Sequence, residues 1–112
     1  MTEQLISLDI AKLAKEKGFD IVCNYRYNKF GRLTINNDFT CQAPTLSLLQ
    51  QWLREVHGIH VSPIFIGPDT NKYQYRMDIE NSGNIGEYSK WFLKYEECLE
   101  AGLQEALNLI KI

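Results

Sequence analysis

The stretch from Pro44 to Ile66 constrains this chain more than any other. Within it Leu49, Trp52, Leu53 and Val56 fall at i, i+3, i+4 and i+7, the period of one helical face. Gly58 then breaks the pattern, and Ile59 to Ile66 follows as an apolar, β-branched run. A helix that ends on a glycine and passes straight into a largely apolar strand must fold back onto the sheet that strand joins. That requirement points to an α+β architecture, with helices on a sheet face.

The flanking segments extend the pattern. Ser7 is placed to cap a first helix, Ile6 can staple onto Ala11, and Ile10, Leu13 and Ala14 make the apolar stripe. Gly18 stops that helix, and Phe19 is positioned to fold back on its last turn. Asp20 to Ile35 is rich in β-favouring residues and holds Gly31 in a turn between Asn28 and Arg32, which predicts a hairpin. Asn36, Asn37 and Asp38 are turn formers that end it, and Pro44 with Thr45 starts the second helix. Gly67-Pro68-Asp69 is a turn signal, and Lys72 to Ile79 alternates as the return strand of a second hairpin. Pro63 cannot donate to a ladder, so its strand is expected at an edge or to carry a bulge.

Asn81 to Gly86 reads as a loop, and Glu87 to Leu93 fits either a last strand or the approach to the final helix. From Tyr95 onward Leu99, Leu103, Ala106, Leu107 and Ile110 line one helical side. Gly102 on that helix costs about 1 kcal/mol against alanine, which predicts a close approach to the sheet. The expected architecture is α+β: an antiparallel sheet of four or five strands packed with three helices, in the order αββαβββα, in one domain spanning residues 1–112. Ser7, Leu8, Leu13 and Gly18 recur as Ser47, Leu48, Leu53 and Gly58 at an offset of 40 residues. A duplication and independent use of the same caps and stops both account for that.

Composition narrows the function classes. A formal charge of −2 offers no overall cationic field for nucleic acid or anionic lipid. The opening MTEQLISLD has no basic stretch ahead of an apolar run, and no apolar stretch reaches the length of a membrane span. Cys23, Cys41 and Cys98 match neither a disulfide framework nor a C-x-x-C pair. A cytoplasmic protein is expected, with the three thiols as small buried hydrophobes. His57 and His60 lie three apart, but zinc needs further converging ligands that the sequence does not supply. Gly83-Asn84-Ile85-Gly86 lacks the lysine and hydroxyl residue of a phosphate loop. No catalytic set, metal site or cofactor is expected.

The candidate binding residues are aromatic and basic. Tyr25 and Tyr27 share one strand face, Tyr73 and Tyr75 share another, and Arg26 and Arg76 point opposite to their neighbours. Two tyrosine pairs on two hairpins would make one surface able to stack bases or anchor a protein, with arginine for phosphate or carboxylate. The competing reading is that the tyrosines cover the sheet beneath the helices.

Two resemblances follow. The order helix, three strands, helix in the second half is similar to that of double-stranded-RNA-binding domains, but Glu96, Glu97 and Glu100 stand where those domains place basic residues and would repel phosphate. Ala43-Pro44-Thr45, Gln51 to Glu55, Gly58-Ile59-His60 and the run from Tyr95 to Leu107 resemble small uncharacterised proteins of bacteriophage and prophage genomes of gut bacteria. The resemblance covers nearly the whole chain and rests on structural motifs, with Lys94 and Cys98 departing from its pattern. It carries no function of its own. A well-specified fold without clustered acids, bases, nucleophiles or metal ligands is what leads to the expectation of a non-catalytic accessory protein of viral origin that binds a host or viral protein or forms a homo-oligomer. The alternative is a nucleic-acid- or nucleotide-binding module using the tyrosine and arginine face. No contact with a membrane is expected.

Overall fold

The computed structural model describes residues 4–36, 38–66, 72–80, 87–88 and 91–110, the pair 87–88 through its backbone alone. The turn expected at Gly67-Pro68-Asp69, the loop at Asn81 to Gly86, and Asn37 lie outside the described residues.

Helix α1 (Leu8–Glu16) starts after Ser7 in extended conformation and buries Ile10 and Ala14 of the expected stripe together with Ala11, while Leu13 is half-buried against the core. Phe19 donates its backbone N–H to the Ala14 carbonyl at 2.9 Å, and its ring is buried. The chain then makes a short sheet from β1 (Arg26–Tyr27), β2 (Leu33–Thr34) and β3 (Cys41–Gln42). β1 lies at its centre and is antiparallel to both neighbours. The β1–β2 turn is held by Asn28, whose side-chain oxygen accepts from the N–H groups of Phe30 and Arg32. The hairpin is therefore where the sequence placed it, but shorter: residues 19–25 are not strand.

Helix α2 (Leu46–His57) is capped by Thr45, whose hydroxyl accepts from the Leu48 N–H at 3.1 Å. It buries Leu46, Leu49, Trp52 and Leu53, while Val56 in its last turn stays exposed. Gly58 adopts φ 66°, a left-handed conformation that glycine enters at no steric cost. A Cβ there would also sit 3.1 Å from Glu80, whose N–H bonds to the Gly58 carbonyl.

The larger sheet follows at once. β4 (Ile59–Ile66) and β5 (Lys72–Ile79) pair along their full lengths, from Ile59 opposite Ile79 to Ile66 opposite Lys72. β6 (Glu87–Tyr88) pairs on the other side of β5, and Phe92 adds a bridge to Tyr73 farther along. Of the stretch from Glu87 to Leu93, Glu87–Tyr88 and Phe92 thus pair with the sheet, and α3 (Tyr95–Leu109) begins after them. Alternation directs Ile59, Val61, Tyr75 and Met77 to one face, which α2 and α3 cover. The opposite face carries His60, Ser62, Ile64, Gln74 and Arg76. Gly102 sits where α3 crosses β4 and β5: a Cβ there would lie 2.6 Å from Val61 Cγ1 and 3.0 Å from the Tyr75 ring.

The overall class is α+β with three helices among the described residues, but the strands form two antiparallel sheets, in the order αβββαβββα. This differs from the expected single sheet in the order αββαβββα, and the added strand is Cys41–Gln42. The β4 edge accounts for the separation. The Tyr73 N–H and C=O face Phe92, so the residues opposite odd positions of β5 turn their backbone groups outward. At that outer edge Pro63 has no N–H to give, and the Gln50 amide covers the Val61 carbonyl at 2.6 Å. Across the 40-residue correspondence both units run helix, strand, strand, strand and both glycines follow a helix with positive φ, but other positions differ. Ser7 is a cap whereas Ser47 lies inside α2, and the central strand is the first of its sheet in one half and the second in the other.

Candidate functional site

The six residues singled out by the sequence do not share a surface. Tyr75 is 7% exposed, packed beneath α3 beside Gly102, and its hydroxyl donates to the Glu105 carboxylate. Tyr27 donates its hydroxyl to the Ile6 carbonyl at 2.7 Å and packs against the core. Arg26 lays its guanidinium 5.0 Å from the Phe39 ring centroid and donates through Nη1 to the carbonyls of Ile35 and Asn36, which ties down the chain leaving β2. Arg76 lies on the uncovered sheet face, paired with Asp78 at 3.0 Å. Tyr75 and Tyr27 thus do the covering work of the competing reading.

Tyr73 and Tyr25 remain open to a partner, in two separate places. Tyr73 is half-buried in an aromatic row, 5.4 Å from Phe65 and 5.9 Å from Tyr95, ring centre to ring centre. Beside it Lys72 Nζ stands 4.8 Å over the ring of Trp91, which is half exposed. The sequence reading missed Phe65, Tyr95 and Trp91, because their assembly depends on Phe92 bridging to Tyr73 and so bringing the start of α3 to the end of the hairpin.

Tyr25 borders a groove of about 480 Å³ between the first sheet and α2, with Leu5, Val22, Pro44 and Leu48 along its walls. The N-terminal segment closes one side, because Leu5 bridges to Thr45 and Ile6 donates to the Pro44 carbonyl. The β1–β2 register, extended by one pair, puts Ile35 across from Tyr25. Tyr25 is 46% exposed, Val22 73% and Ile35 71%. Val22 and Ile35 read in sequence as ordinary strand residues, yet both fall outside the strands that form and have nothing laid over them.

The ionisable groups that burial shifts among the described residues are thiols and phenols, beside isolated ion pairs. Cys98 is fully buried and burial pushes its thiol up to about 11; burial raises Cys23 and Cys41 as well, partly offset by Arg26 at the first and by Lys15 and Lys12 at the second. Tyr75 is raised by burial first, then by its bond to Glu105 and the carboxylate's charge. His60 Nε2 meets Glu80 at 2.8 Å, and His57 packs edge-on to Trp52 with ring centres 4.8 Å apart. Among the described residues no group of three or more His, Cys, Asp or Glu is arranged to hold a metal ion, and no helix is long and apolar enough to cross a membrane.

Two measurements follow from the buried acids. All three thiols should resist a water-soluble disulfide reagent in the native protein and react at once in denaturant; fast native labelling would contradict their burial. Cys98 and Tyr75 stay protonated in the fold while the unfolded chain releases those protons from about pH 9. Stability is therefore full below about pH 9 and falls as pH rises toward about 11, seen as a declining urea midpoint that Cys98→Ala makes shallower. A midpoint that stays level through that window would refute the assignment.

No protein-family model matches the chain, and no match was found among curated proteins or solved structures.

Proposed function

We propose that this chain is a non-catalytic accessory protein, of the bacteriophage or prophage kind its sequence resembles, that binds a protein partner through the face around Tyr25. One observation carries the reading. Of the thirteen large apolar side chains exposed among the described residues, seven lie between Ile21 and Phe39. Two of them, Val22 and Tyr25, line the apolar groove, and an exposed apolar groove is what a binding surface offers. Tyrosine at its centre supplies contact area at low entropic cost. The test is a pull-down with tagged protein from cells that also make the untagged chain, with nuclease present. The wild type should retain one protein in stoichiometric amount, and the double variant Val22→Asp/Ile35→Asp should lose it. Retention of nothing, or equal retention by both baits, would reject the reading.

The alternative, a nucleic-acid- or nucleotide-binding module, has its support in the row Phe65, Tyr73, Tyr95 and the Lys72–Trp91 pair. In that case Trp91 fluorescence should be quenched by a single-stranded oligonucleotide at low salt and recover as salt is raised. No quenching at low salt would remove this alternative.

A further inference from the structure

We draw no further inference here: the strongest candidate, the cleft of about 430 Å³ between the start of α1 and the first turns of α3 where Asp9, Glu97 and Glu100 gather, is a cluster of solvent-facing carboxylates to which no second observation in the structure adds a ligand.

Discussion

Gly102→Ala should lower the melting temperature, although the same change in an isolated helix would stabilise it by about 1 kcal/mol. The added methyl would sit 2.6 Å from Val61 Cγ1 and within 3.1 Å of two Tyr75 ring atoms. Neither neighbour yields easily. Val61 is 2% exposed on a strand that pairs along its whole length, with a β-branched side chain stiff at χ1. Tyr75 is held at its far end by Glu105. Overpacking a site of this kind costs about 1–3 kcal/mol, so the net effect is a loss of up to about 2 kcal/mol after the helical gain. That corresponds to a fall of roughly 4–8 °C for each kcal/mol in a domain of this size. Gly102→Leu, which no small shift accommodates, should give no cooperative transition at all. Thermal melts by circular dichroism decide the matter: an alanine variant as stable as the wild type would mean that α3 does not press on the sheet at this point.

The second large effect is expected at Trp52. Its ring is 6% exposed and is gripped edge-on by Phe19, with ring centres 5.2 Å apart, and by His57. Phe19 is brought there by the turn after α1, so Trp52 joins the first helix to the second. Trp52→Ala should cost about 3–5 kcal/mol, a large share of the roughly 5–15 kcal/mol that holds a domain together. Trp91 provides the control, because it is half exposed and lies over Lys72 on the rim of the sheet. Trp91→Ala should change stability by less than about 0.5 kcal/mol. Urea titrations of the two variants should show midpoints far apart, and coincident midpoints would contradict the burial difference.

The contrast between the tryptophans shows what the sequence could and could not disclose. Trp52 was legible because it lies on a helical stripe bounded by Thr45 and Gly58, where spacing, cap and stop agree. The β4–β5 pair was legible for the same reason, being long enough for alternation to show. β3 was not, since Cys41–Gln42 is two residues long and has no period to read. Alternation correctly sorted Tyr73 and Tyr75 from Arg76, but which face the helices cover is decided by contacts far apart in the chain. The separation into two sheets was hidden likewise, because side-chain pattern fixes faces and leaves edges free. At the candidate site Tyr25 was found from its type and place, whereas Val22 and Ile35 were missed. Their exposure comes from the shortness of β1 and β2, which leaves Ile35 just past the paired residues and Val22 in the irregular chain that leads into β1.

The outer edge of β4 has a consequence for the protein at high concentration. Ile-His-Val-Ser-Pro-Ile-Phe-Ile is uncharged apart from its histidine and rich in β-formers, the kind of segment that seeds amyloid when one chain copies another's backbone. Pro63 in its middle removes a donor that such copying needs, and the Gln50 amide occupies the neighbouring acceptor. A strand this apolar is thereby carried at the margin of its sheet with one ladder donor missing and one acceptor covered, which disfavours a second chain copying its backbone from Val61 to Pro63.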